Sequence, residues 1–399
     1  MPRAKTRKKL VQFDGSKKDS RKVWQTGYKG FDKNLTCRGK KYKLHRTFVE
    51  AKADLCGTGM HFCIYPLRTL LYYPPVRQSR YAEVDALAPC QTEEYGKAVT
   101  TKLHVRTELS LRELCGAAEA MIMAQASGRK PATLDWALQK CKSMDQKAAI
   151  TVDSARQSFV RTWEDKACAM NGGAYSMATT SGDYAVANCT NGYSRAYSGG
   201  HRAAAVATGT FSVARSMDYS SIAASTGKAS VSVNSGPMGI SVNTGDKAIA
   251  RSESDFSIAG STGDASAAVS EGDRAVSVTT KYSSDATSKG ICSIAATTGI
   301  CSDANVTGKQ ACALTMGMSA HAPATGEQAT AIALGPGGRV KGARGCFLAC
   351  MEWELDEPNK PMRPVGLVTA VVDGNKIKPA TWYTARNGEL VEPLNEEER

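Results

Sequence analysis

The stretch Gly227-Lys-Ala-Ser-Val-Ser-Val-Asn-Ser-Gly236-Pro-Met-Gly-Ile-Ser-Val-Asn-Thr-Gly245 contains two units of nine residues, each opened by glycine. Outward from it the same register runs from Gly173 to Gly335. Of its 19 slots 15 are glycine, and Asn191, Asp218, Ser254 and Lys281 fill the rest. A short fixed period marks a solenoid, in which one supersecondary unit stacks on the next. Glycine at each slot is expected to supply the left-handed backbone of a tight turn, for which Asn and Asp are the best substitutes.

Counted from each slot, the third residue is Ala, Ser or Gly throughout, and the fifth is Ala or Ser from Ala178 to Ala331. Positions four and six vary and include Arg195, Arg215, Arg251, Asp285, Asp303 and His321. Alternate residues of an extended segment face opposite sides. Positions three, five and seven therefore point into a thin interior of Ala and Ser, and four and six point outward. The chemistry repeats every eighteen residues, as the threonines from Thr190 through Thr244 to Thr298 show. Two strands thus make one coil. With about 4.8 Å between stacked strands, roughly nine to ten coils give a rod of about 45 Å.

A second eighteen-residue file, Val186, Ala204, Ile222, Ile240, Ile258, Val276 and Ile294, occupies position four of alternate strands, while the other strand of each coil carries the charges. Placing these aliphatics inside would bury Arg195, Arg215, Arg251 and Asp285 instead, at a large desolvation cost. They are therefore expected on the outside, as a patch larger than a soluble monomer usually leaves bare. We expect it to be an oligomer interface formed by Val186, Ile222, Ile240, Ile258, Val276 and Ile294, because symmetric closure is the commonest way to hide a repeated patch.

The first 50 residues hold 16 Lys or Arg against four acids, net +12 of the chain's formal +13. A basic arm with Arg3, Lys5, Arg7, Lys8 and Lys9 favours a polyanionic partner, nucleic acid or an acidic protein surface, through salt-sensitive electrostatics. No apolar leader and no run of eighteen apolar residues is present, so membrane spanning is not expected. Thirteen cysteines without a repeated pair spacing read as reduced thiols. Cys346 and Cys350 lack a second ligand pair for zinc. Asp285, Asp303 and His321 stack on one face as a solvated file. Gly335-Pro-Gly-Gly338 lacks the Lys and Ser or Thr of a phosphate loop. No metal and no cofactor is expected.

The fold class is mainly β: a two-strand-per-coil β-solenoid of 18 residues per coil with an N-terminal α/β domain, a short helical region and a C-terminal β cap. Residues 1–27 form the basic flexible arm and 28–106 a small α+β domain, with strands at Tyr28–Phe31, Met60–Ile64, Tyr81–Ala86 and Lys102–Arg106. Residues 107–170 form a helical connector or cap, its helices at Glu108–Gln125, Thr133–Met144 and Asp153–Met170, with a capping box begun by Ser110 and Glu113. Residues 171–345 are the solenoid. Residues 346–399 are the β cap, with strands at Cys346–Leu355 and Gly366–Val372 and hairpin turns at Asp373-Gly374 and Asn387-Gly388.

The flanks resemble a family of uncharacterised bacteriophage and prophage proteins. The N-terminal resemblance rests on Tyr28-Lys-Gly-Phe31, Leu35-Thr-Cys-Arg-Gly39, Gly59-Met-His-Phe-Cys63 with Tyr65-Pro66-Leu67, and Tyr81-Ala-Glu-Val84. The C-terminal one rests on Lys341-Gly342, Val372-Asp-Gly-Asn-Lys-Ile-Lys-Pro379, Thr381-Trp-Tyr383 and Gly388-Glu389. It implies a viral or mobile-element origin, in the host cytoplasm or the virion, and no activity. The expected function is a non-catalytic structural or interaction protein. The alternative is an ADP-ribosyltransferase-like enzyme: Gly59-Met-His-Phe and Tyr72-Tyr73 look like the nicotinamide cradle of those enzymes, which makes Arg38, His61 and Glu83 the catalytic candidates.

Overall fold

The structure is a computed structural model that describes residues 22–55, 57–75, 79–93, 96–127, 150–156, 159–355 and 361–393. The chain divides after Ala118 into two compact units.

The N-terminal unit is built on seven strands: β1 (Gln25–Phe31), β2 (Arg46–Val49), β3 (Met60–Cys63), β4 (Arg80–Ala86), β5 (Cys90–Thr92), β6 (Lys97–Thr100) and β7 (Lys102–Leu109). They form one antiparallel sheet in the order β2-β7-β4-β1-β3-β6-β5. Period-two alternation sends Phe31, Met60, Phe62, Val84, Leu103 and Val105 to one face, where they pack with Tyr42 and Phe48. All four expected strands are present. Helix α1 (Leu111–Ser127) follows. Its capping box is complete: Glu113 N–H donates to Ser110 Oγ at 3.3 Å, and the Glu113 carboxylate accepts the Ser110 N–H at 2.8 Å.

In the second unit the β-solenoid has about 11 turns of 18 residues over residues 152–350. Alternate strands build two parallel ladders, a 13-stranded sheet ending in an antiparallel strand and an 11-stranded sheet. Ile222, Ile240 and Ile258 are successive Cα partners in the first, and Val213, Val231 and Ile249 in the second. Ala187, Ala205, Ala223, Ala259 and Ala295 lie inside, fully buried, with Ser194, Ser230, Ser266 and Ser302. The interior hydroxyls serve the turns: Ser266 Oγ donates to the Gly245 carbonyl at 3.0 Å and Ser284 Oγ to that of Gly263 at 2.8 Å.

Three expectations need correction. The segment Asp153–Met170 is not a helix, because Ile150–Asp153, Phe159–Thr162 and Cys168–Asn171 are already solenoid strands. Its slots hold Ala155 and Glu164 in place of glycine, which hides the period, while Val160, Ala167 and Ala169 keep the buried pattern. The expected helix at Thr133–Met144 lies outside the described residues.

The slot glycines are also not left-handed. The positive φ falls two residues later, at Tyr193, Phe211, Ala229, Lys247 and Ala265 among others, with φ between 51 and 58°. What crowds an added side chain at the slot glycines is the coil below. A Cβ on Gly263 would lie 2.0 Å from the Gly245 carbonyl oxygen, and one on Gly245 equally close to that of Gly227. Asn191, Asp218, Ser254 and Lys281 each have glycine in the slots eighteen residues before and after.

The charged strands do not face solvent throughout. On the outside of the 11-stranded sheet Arg195 and Arg251 are buried, and so are Val213, Val231 and Ile249, a second aliphatic file at position four. Burial of Arg251 is offset by pairing, with Glu271 at 2.6 Å and Glu253 at 3.4 Å, while Lys289 closes on Glu271 at 2.9 Å. Burial alone would push the Glu271 carboxyl up, but Lys289 and Arg251 hold it below the ordinary carboxylate range. A carboxyl whose folded pKa lies below its unfolded one adds stability above the unfolded value and loses it as pH falls through the folded value. Thermal unfolding followed from neutral pH into the carboxylate range should therefore show an acid-side loss that Glu271→Gln flattens.

At the far end Phe347–Glu354 continues the 13-stranded sheet and Arg363–Val371 adds an antiparallel strand. Val372, Ile377, Tyr383 and Leu390 close over Val340 and Leu348, so the β cap is present. Asn387 and Gly388, with φ of 51 and 74°, turn a hairpin between Thr384–Arg386 and Glu389–Val391. Asp373-Gly374 makes no hairpin. The Asp373 carboxylate accepts the N–H groups of Asn375 and Ile377, forming a local loop.

Candidate functional site

Two features stand out, one in each unit. The first is the outer face of the 13-stranded sheet. Its position-four file runs Val186, Ala204, Ile222, Ile240, Ile258, Val276, Ile294 in unbroken parallel register. Beside it at position six stand Val206, Ala224, Val242, Gly260, Val278 and Ala296. Ile222, Ile258 and Ile294 are each 42 % exposed, whereas Ile249, in the same slot of the other sheet, is 0 % exposed. The aliphatic file thus lies outside the coil, as its pattern implied, and it is open. No charged residue interrupts either file between Val186 and Ile294.

The second is a cavity of about 510 Å³ in the N-terminal unit. Strands β1 and β3 pair only at Tyr28 and Cys63, so the sheet opens beside that contact. Lys29, on the core-facing parity of β1, reaches into the opening and is 4 % exposed. Its ammonium donates to the His61 carbonyl at 2.5 Å and to Cys37 Sγ at 3.3 Å, and lies over the Tyr42 ring at 5.1 Å. No carboxylate among the described residues pairs with it. Burial pushes its pKa down, partly countered by Cys37.

Arg38 reaches the same cavity from the turn between Thr36–Cys37 and Lys40–Lys41, where Arg38 and Gly39 have φ of 50 and 74°. Lys40, also lining it, is neutralised by Glu50 at 2.7 Å. His61 Nε2 lies 3.0 Å from the Leu55 carbonyl, which accepts the ring N–H. Burial holds the His61 pKa down, against that hydrogen bond and with help from Lys97, Arg38 and Lys29. The cavity therefore has a positive field. Tyr73 seals one wall against Gly30, where an added Cβ would come within 2.5 Å of the ring.

Of the three catalytic candidates, Arg38 and His61 line this cavity and Glu83 does not. Glu83 stands opposite Tyr28 on β4, with its carboxylate 3.1 Å from Arg106. The constellation expected from the sequence is therefore only partly assembled. Lys29, Tyr42 and Lys97 were missed; the available signal was a lysine on the buried parity of a strand, between Gly27 and Phe31. The basicity is also not confined to an arm, since Lys29, Arg38, Lys40 and Lys97 belong to the folded unit. Arg3, Lys5, Arg7, Lys8 and Lys9 lie outside the described residues.

Among the described residues no cluster of three metal-ligating side chains occurs. In the Asp285 file, His321 Nδ1 sits 3.0 Å from Asp303. Cys346 and Cys350 are buried, their thiols against backbone carbonyls. No helix among the described residues is long and apolar enough to cross a membrane.

Residues 25–117 match the profile of a family described as a domain of unknown function (DUF7666), which spans the cavity and every strand of the N-terminal sheet. No curated protein and no solved structure matches the chain.

Proposed function

We propose that the chain is a phage-encoded, non-catalytic structural or interaction protein that self-associates through the open face of its solenoid, in the host cytoplasm or the virion. The observation that carries this reading is the exposure of Ile222, Ile258 and Ile294, each 42 % exposed, on a file without a charged residue. With Cys168 before it and Cys312, Thr330 and Phe347 after it, the uncharged position-four file spans eleven rungs, and with the file beside it makes a strip of about 50 by 12 Å, so that two copies face to face bury roughly 1,200 Å² in total. That is the lower edge of a stable interface. A second copy suits the strip because its rungs repeat at the same spacing, and a two-fold contact is self-complementary. The phage origin rests on the flanking motifs. The mass of the particle in solution is the test.

The basic arm engages nucleic acid or an acidic partner. Deleting the residues before Trp24 is expected to lower retention on a polyanion column at low salt and to change nothing at high salt. Equal retention would remove this role.

The cavity supplies one observation for the second reading, ADP-ribosyl transfer, since Arg38 and His61 share it. That reading also needs Glu83 there, and Arg106 holds Glu83 elsewhere. Incubation with labelled NAD and host lysate is expected to give no label transfer that Glu83→Gln abolishes.

A further inference from the structure

We infer that the cavity of the N-terminal unit is a binding site for a nucleoside phosphate. Its size, about 510 Å³, lies within the range of small-molecule sites. Its lining divides into two chemistries. Lys29, Arg38 and Lys97 are cations with no carboxylate partner among the described residues, and the one acid in the lining, Glu50, is spent on Lys40. The remaining large side chains are rings, chiefly Tyr42, Phe62, Tyr72 and Tyr73. A ligand that satisfies both halves carries an anionic group and a planar aromatic one.

Lys29 makes the anionic half specific. A buried ammonium is unfavourable unless paired, and here its contacts are a carbonyl oxygen, a sulfur and ring faces. Its lowered pKa registers that cost. A phosphate in the cavity would offset it, and Arg38 adds a fork-shaped donor suited to phosphate oxygens. For the planar half, Tyr72 is 52 % exposed although it lines the cavity. Its ring is open to stacking by a base, the contact that makes aromatic residues sequence-tolerant base platforms. Inorganic phosphate alone would leave that ring unused, and a free nucleoside would leave the cations unpaired.

The test is equilibrium binding of AMP, GMP, CMP and UMP to the full chain, with inorganic phosphate and the free nucleosides as comparison probes. At least one monophosphate is expected to bind about tenfold or more tightly than phosphate or its own nucleoside, a difference of about 1.4 kcal/mol. Arg38→Ala and Lys97→Ala, both at positions away from the buried core, should each weaken it about tenfold while the unfolding temperature holds. Tyr72→Ala should erase the advantage over inorganic phosphate. No saturable binding of any monophosphate, equal affinity for inorganic phosphate, or binding that all three variants retain, as the basic arm would produce, each overturns the assignment.

Discussion

Replacing Ile240 and Ile258 together by Asp is expected to turn a self-associated particle into a monomer without unfolding it. Both residues point away from the Ala and Ser interior and are adjacent Cα partners near the middle of the open file. In a two-fold contact the pair places four carboxylates in an apolar interface, each costing several kcal/mol unless neutralised, so dissociation should rise by a factor of at least about 10⁴. In the free chain the same carboxylates stand in water, and a surface change of that kind shifts stability by only about 0.5 kcal/mol. Light scattering and thermal unfolding read the two effects separately. Ile249→Asp is the matched control: same residue type, same slot, opposite sheet, 0 % exposed. It should cost about 3 kcal/mol or more of stability. A wild-type monomer, or a double variant that still associates, removes the proposed role of the face.

The second large effect concerns the slot glycines. Gly263→Ala puts a Cβ 2.0 Å from the Gly245 carbonyl oxygen and 2.4 Å from its carbon, atoms of the coil below that carry the fold. Such overpacking costs about 1–3 kcal/mol. With Gly245→Ala added, two successive contacts on one edge must open together. Neighbours that share a strained backbone do not behave additively, and the double variant should lose more than the two single losses combined. Gly260→Ala, three residues away, is the control, because nothing lies within 4 Å of its Cβ position. It should leave the unfolding free energy unchanged or raised by about 0.5 kcal/mol, read from denaturant unfolding. Equal losses at Gly260 and Gly263 would mean that glycine matters here for chain entropy and not for contact.

The solenoid was legible because its rule is local and repeated: small residues at slots three, five and seven recur often enough that no single exception hides them. Where Ala155 and Glu164 replaced glycine the rule failed, and a strand pair read as a helix. The reason for the glycines was misread as well. A nine-residue period of glycine looks the same whether it serves a left-handed turn or clears the coil below, and only the eighteen-residue stacking separates the two. Tyr193 and Phe211 occupy the left-handed position instead, which composition would not have suggested.

For the candidate sites the division is sharper. His61 and Arg38 were visible as unusual polar residues near a Gly-Met-His-Phe strand, but Lys29 was invisible as a ligand group until β1 and β3 were seen to part beside Tyr28. Glu83 was a reasonable partner by proximity in the motif; it stands outside the cavity lining and pairs with Arg106, a residue from another strand.

The amino-acid order by itself determined the coil length, the inward small-residue files and the outward aliphatic file from Val186 to Ile294, since each follows from strand alternation and an eighteen-residue repeat acting within one segment. Which outward file stays bare, Ile258 and not Ile249, was decided by the tertiary structure, as was the gathering of Lys29, Arg38 and Lys97 around one cavity. Burial and electrostatic field are sums over atoms brought together from distant segments, and no local pattern contains those sums.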